Sequence, residues 1–172
     1  MRTSEALRRQ GSAQHREQDQ FTHGRLTWVS TGQVVVDAKK KEWSGAVAHT
    51  NNTGELTAMQ RALLRASTRP AGGGKEMIWS DSLYTINMTT GRWLPKRTRN
   101  NEIIARLRCA WRWIQRARPG EVRIRHVRSH TKNSGNEIAD WLADEGRMGG
   151  TPTLDEADRW LKRWRARQRG DG

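Results

Sequence analysis

TNNTGELTAMQRALLRASTRPAGGGKEMIWSDSLYTINMTTG, residues 50–91, sets a helix pattern beside a strand pattern and so decides the fold class. Leu56, Met59, Ala62, Leu63 and Ala66 recur at intervals of three and four, which predicts a helix over Thr53–Ser67. TRPAGGG breaks it into a loop. KEMIWSDS then carries a short apolar run with polar flanks, predicting a buried strand at Glu76–Ser80. SLYTINMTTG reads as a short helix closed by Gly91.

The pattern extends in both directions. Upstream, VVVD at Val34–Asp37, the basic turn AKKKE and WSGAVAH at Trp43–His49 predict two strands joined as a hairpin. Downstream, a basic loop RWLPKRTRN leads to a long amphipathic helix, Asn101–Ala117. Ile103, Leu107, Ala110 or Trp111, and Ile114 fall on one face, and Arg106, Arg108, Arg112 and Arg116 on the other. Pro119-Gly120 ends this helix, Val122–Val127 reads as a strand, and Gly135–Gly146 as another helix. The linker GGTPT precedes a last helix, Leu154–Arg167, with Leu154, Ala157, Leu161 and Trp164 on one side. Strands interleaved with helices after an opening hairpin give an α/β fold, a mixed sheet flanked by helices. Residues 1–24 are polar and read as a tail, with a short helix at Ser4–Gln10 compatible with them. The expected organisation is a tail or degenerate first strand over 1–24, a domain over 25–148, and a linker with a basic helix over 149–172.

A chain of 172 residues holds one domain with tails. Its 32 Lys plus Arg against 18 Asp plus Glu leave a formal charge of +14, which suits a polyanionic partner. A basic protein with no specific partner has the same composition. Cys109 is the only cysteine, which excludes an internal disulfide and any multi-cysteine zinc site. Its apolar-periodic surroundings predict a small buried residue, and reducing surroundings are the default. No apolar run approaches the ~20 residues of a membrane span, and the N-terminal basic residues precede no h-region. The expected setting is intracellular, cytoplasmic or nuclear.

Three carboxylates stand where strands end or helices begin. Glu55 is in the first turns of its helix, Asp81 ends the strand EMIWS, and Asp140 lies on a helix that comes after VRIRHV and the loop RSHTKNSG. Taken singly, each has a structural explanation, because the helix macrodipole favours negative charge near N-termini. Taken together they are the oxygen donors that hard divalent cations require. Two such cations ~3.5–4 Å apart hold the attacking water and the leaving oxygen of a phosphodiester.

TNNTGELTA at Thr50–Ala58, WSDSLY at Trp79–Tyr84 and HVRSHTKNSGNEIADWLADEG at His126–Gly146 occur in this order. Together they resemble the successive signatures of the type 1 ribonuclease H family, over about a hundred residues. The resemblance implies a metal-dependent endonuclease that cuts the RNA strand of RNA–DNA hybrids, with Mg²⁺ as cofactor and Mn²⁺ as a substitute. It implies that Glu55, Asp81 and Asp140 are metal ligands and that His130 moves a proton or releases product. By the same resemblance Asn51 and Asn52 read the hybrid's minor groove through 2′-hydroxyls, and Thr50 and Trp93 contact the DNA backbone. Two of these residues have a plainer alternative: His130 as an exposed loop side chain, Trp93 as part of the core.

The pattern breaks at its start. The family opens on a strand ending in Asp-Gly-Ser, and here the nearest string is QGSA, with Gln10 in the Asp position. Asp19 sits at a plausible distance but in REQDQF, which is unlike a strand, and Asp37 lies at the wrong end of the hairpin. Asp144 stands one turn beyond Asp140, where support of the site and plain exposure are both open. Leu83 occupies a position where the family often has a Gln that contacts RNA. The alternative function is therefore a catalytically impaired domain of the same fold that still binds nucleic acid, such as a retroelement-derived fragment.

Overall fold

The computed structural model describes residues 26–96, 99–128 and 132–170. The residue 1–24 tail, with Gln10, Asp19 and the Ser4–Gln10 helix, lies outside the described residues, as does His130. The chain divides into two compact units, one of residues 34–128 and one that joins residues up to 33 with those from 129 on.

The first unit runs α1 (Asn51–Ser67), β1 (Glu76–Ser80), α2 (Leu83–Thr90), α3 (Asn101–Ala117) and β2 (Val122–His126). Helix α1 starts two residues before the predicted Thr53, because Thr50 and Thr53 close a reciprocal capping box. Ser82 caps α2 through the Thr85 N–H, and Gly91 ends that helix at φ 80°, a left-handed conformation that suits glycine. β1 and β2 pair in parallel from Glu76↔Val122 to Ser80↔His126, a connection long enough to hold α2 and α3. Leu56, Met59, Leu63 and Ala66 of α1 meet Met88, Ile103, Ile104, Leu107, Ile114 and Val122 in one apolar core, with Ile78 and Ile124 of the strands packed against it.

Several expectations need correction here. Among the described residues Val34–Asp37 and Trp43–His49 form no strands. The turn between them does close, through Lys40 N–H to Asp37 O and Trp43 N–H to Lys40 O, each 3.1 Å. The segment beyond this turn packs on helices instead of pairing as a ladder. Ser44, Gly45 and Ala46 are buried, the Trp43 indole N–H donates to Ala46 O at 2.7 Å, and Ser44 Oγ lies 3.3 Å from Thr57 Oγ1 of α1. Gly45 sits at φ 98°, and a Cβ there would fall 2.8 Å from the Ile103 nitrogen of α3. A backbone pressed that closely on a helix has no open edge for a strand. Cys109 is exposed, not buried, since it lies two residues, about 200° of helical rotation, from Leu107 at the core. Arg108 does not join a solvated basic face either. It donates to Met88 O at 2.9 Å and to Trp93 O, tying α3 to the end of α2 and the loop beyond it.

The second unit holds α4 (Ser134–Arg147) and α5 (Leu154–Arg169). Asn133 caps α4 by accepting from the Gly135 and Asn136 N–H groups, and Thr153 with Glu156 forms a capping box on α5. The Thr153 N–H, and then its hydroxyl, hold the Glu156 carboxyl below its ordinary range. Ile138, Ala157 and Leu161 are buried together against Leu26, Val29, Trp141, Leu142 and Trp160, and the Trp141 and Trp160 rings stack at 5.3 Å. Gly146 lets residues 31–32 lie on α4, because a Cβ there would meet Thr31 Oγ1 and come within 2.7 Å of Gly32 N. Of the predicted apolar side of α5, Leu154 is exposed at the helix start while Ala157 and Leu161 carry the packing. Leu161→Ala is expected to cost about 2–5 kcal/mol for the lost side chain and the cavity it leaves. Urea unfolding measures this, and a wild-type midpoint would show that α5 is held by something else.

Candidate active site

Because β1 and β2 are parallel, their carboxyl ends point the same way, and this is the side on which open α/β sheets bind ligands. Asp81 comes directly after β1, and its carbonyl oxygen lies 3.2 Å from His126 Nε2 at the end of β2. Ser82 turns the chain into α2, with its N–H donating to Ser80 Oγ at 3.2 Å and its hydroxyl accepting from Thr85 N–H at 3.1 Å. Thr85 is fully buried, and its hydroxyl donates to Glu55 Oε2 at 3.3 Å. A continuous string of hydrogen bonds thus connects the first turns of α1 to the residue after Asp81. Both Glu55 and Asp81 are half-buried, so each keeps access to solvent while its surroundings are fixed.

The other expected residues differ in how far they are engaged. Thr50 is exposed but its hydroxyl serves as the α1 cap, accepting from Thr53 N–H at 3.2 Å. Asn51 and Asn52 are exposed on the opening turn of α1. Trp93 is 48% exposed, which removes the core reading, and its backbone N–H donates to Asn87 O at 3.2 Å. Asp140, in the second unit, is exposed on α4 and accepts from Asn136 Nδ2 at 3.2 Å. Asp144 is exposed and pairs with Arg147 at 3.6 Å, a surface contact. Sequence reasoning misses His126, although it opens the string HVRSH and its place at a strand end is the signal that finds it.

Glu55 and Asp81 supply carboxylate oxygens, the donor chemistry that Mg²⁺ takes, and Asp140 supplies another in its own unit. They fit such an ion in kind. Among the described residues no three His, Cys, Asp or Glu side chains are grouped for a metal. Among the described residues, too, no helix is long and apolar enough to cross a membrane.

Comparison with known proteins bears on this arrangement. Residues 12–148 match the family model described as RNase H. The match reaches well ahead of Thr50, begins just past Gln10, and stops before α5. A protein described as ribonuclease H from Granulibacter bethesdensis is 38% identical over 117 residues, covering 64% of this chain and 75% of the relative. No solved structure matches significantly. With a fold of helices around a parallel strand pair and a family match over most of its length, the chain belongs to the ribonuclease H family.

Proposed function

We propose that this protein hydrolyses the RNA strand of RNA–DNA hybrids with a divalent cation, Mg²⁺ or in its place Mn²⁺. The observation that carries the reading is the hydrogen-bonded string Glu55–Thr85–Ser82, which holds one carboxylate in register with the turn after Asp81. Glu55, Asp81 and Asp140 would hold the cation, which when bound supplies Lewis acidity and an acidic water. The chain's own groups do the rest. The exposed amides of Asn51 and Asn52 offer both donors and acceptors to 2′-hydroxyls, the groups that tell RNA from DNA. Thr50 and Trp93 contact the DNA backbone, and His130 helps to move a proton or to release product. The nuclease domain is residues 25–148, with 1–24 as a polar tail or a degenerate first strand and 149–172 as a linker and basic helix. Labelled hybrid incubated with Mg²⁺ tests the reading: RNA-strand cleavage that chelator stops is expected, and equal cleavage of single-stranded RNA would overturn it.

A second reading has its own observation. The string nearest to the family's opening Asp-Gly-Ser is QGSA, just ahead of the matched residues, where Gln10 takes the Asp position and a neutral amide offers one carbonyl oxygen in place of a carboxylate. Glu55, Asp81 and Asp140 bring three negative charges against the four positive charges of two Mg²⁺ ions. The domain would then bind hybrid but cleave it slowly, with Mn²⁺ recovering part of the rate. Under this reading Gln10→Asp raises Mg²⁺-dependent cleavage at least about tenfold, the scale of one metal-ligand interaction at the low end. An unchanged rate, together with loss of activity in Asp19→Asn, would place the first ligand at Asp19 instead.

A further inference from the structure

Helix α5 begins after the family match has ended at residue 148, so nothing in the family assignment accounts for it. Its charges are segregated along its length. Asp155, Glu156 and Asp158 come first, and Arg159, Lys162, Arg163, Arg165, Arg167 and Arg169 come after them with no carboxylate in between. The helix macrodipole favours cations at a C-terminus, but only within the last turn, and this run starts nearly three turns before the end.

Packing then sorts the side chains. Ala157 and Leu161 are buried, Trp160 stacks on Trp141, and Arg165 reaches Ser134 Oγ at 3.3 Å. Arg159, Arg163 and Arg167 occupy positions i, i+4 and i+8, and all three are exposed, the first two beside a cleft that Trp141 and Glu145 help to line. At 1.5 Å per residue they form a row about 12 Å long. Lys162 is exposed beside them and pairs with Asp158 at 2.7 Å. The row is held rigid by the buried side of the same helix, so little ordering of the backbone is left to oppose binding.

We propose that this face of α5 binds the phosphate backbone of a nucleic-acid duplex, giving the protein a contact with its substrate in addition to the Glu55/Asp81 site. The inference deepens the hybrid-nuclease reading and rests on it for the identity of the duplex. An anionic membrane fits less well, because a helix lying in a bilayer surface must offer its apolar side to lipid. Here that side is taken up by Leu26, Val29 and Trp141. The position along the row also matters. A cleft of about 510 Å³ brings Glu145 and Glu156 beside Arg159 and Arg163, so carboxylates offset the field at the start of the row. Arg167, beyond the cleft, therefore contributes more to phosphate binding than Arg159.

The test uses the full chain and the triple variant R159Q/R163Q/R167Q, with a labelled DNA duplex and a labelled RNA–DNA hybrid. Chelator is present so that no cleavage intervenes. Across a salt series the variant should lose up to about 2.7 from the slope of log K against log [salt] on the DNA duplex, at about 0.9 per phosphate released. Affinity at low salt should fall on the order of tenfold. R159K/R163K/R167K should keep the wild-type slope, which separates charge from any disturbance of folding. Unchanged slope and affinity in the glutamine variant overturn the proposal, and so does a lysine variant that binds as poorly as the glutamine one. It is equally overturned if the glutamine variant loses only binding to phosphatidylserine vesicles. Should the wild type fail to cleave hybrid while the slope still falls in the variant, the phosphate face stands and the nuclease reading is lost. Cleavage with an unchanged slope does the reverse.

Discussion

Asp81→Asn is expected to lower metal-dependent cleavage of RNA–DNA hybrid by roughly a thousandfold or more, and to leave hybrid binding unchanged or tighter. The substitution keeps the shape of the side chain and removes one negative charge. His126 meets the Asp81 backbone carbonyl, and the links from Ser82 to Thr85 and from Thr85 to Glu55 run through other residues' atoms. Those links do not need the Asp81 carboxylate. On the proposed reading, what disappears is a carboxylate for the cation, whose stabilisation of developing charge is worth several kcal/mol, with each ~1.4 kcal/mol a factor of ten in rate. Binding moves the other way, because a phosphate no longer meets a like charge at that position. Single-turnover cleavage with Mg²⁺, alongside binding in chelator, reads the two effects separately. A variant that cuts at the wild-type rate would remove Asp81 from the machinery.

The parts of this fold that are legible in the sequence are those where a local pattern has one structural solution. EMIWS is a strand in the predicted place because five residues between a glycine-rich loop and Asp-Ser leave no room for a helix. Asn101–Ala117 keeps its predicted bounds because its apolar stripe is regular over more than four turns. The two residues gained at the start of α1 come from a capping box built by threonine at both ends, where the commoner signature has Glu or Gln at the second position. The hairpin fails for a different reason. Residues 44–46 are buried in a segment that touches α1 and α3, and burial on helices and burial beside a strand ask for the same side chains.

The site is legible in part, and for the same reason. Asp81 and Glu55 stand out because a carboxylate at the end of an apolar strand, or in the opening turns of a helix, is a departure from the local pattern. Thr85 does not, since one more threonine in SLYTINMTT carries no mark of its bond to Glu55 thirty residues away. His126 passes for the last polar residue of an alternating strand until parallel pairing sets it opposite Ser80. Arg118 is the least legible of all. An arginine before Pro119-Gly120 reads as the solvated end of a helix, yet it is 2% exposed, and its partners lie as far as 52 residues back in the chain.

Arg118→Met should accordingly destabilise the first unit more than Leu161→Ala does the second. The guanidinium pairs with Glu76 at 2.7 Å and with Glu121 at 3.0 Å, and donates to Ala66 O at 2.8 Å and Gly74 O at 3.1 Å. It joins the end of α1, the glycine loop, the start of β1 and the approach to β2, all through one planar fork of donors. Methionine fills much of the same space and offers no donor. Two carboxylates and two carbonyls would then lose their donor in a place largely closed to water, the situation in which breaking an ion pair costs most. Acid should expose the same network in the wild type. The Gly72 N–H, and after it Arg118, hold the Glu121 carboxyl below its ordinary value of 4.5. A carboxyl depressed by folding contributes stability that is complete above its unfolded pKa and is lost as pH falls through the folded one, so the loss begins below about 4.5. Arg118 is shifted upward, and its charge is constant throughout that range. Urea midpoints measured from about pH 7 to pH 3 should therefore show a lower plateau for the variant and a shallower acid decline, the Gly72 share alone remaining. Coincident curves for the two proteins would mean that apolar packing replaces the charged cluster without loss, as buried ion pairs sometimes allow.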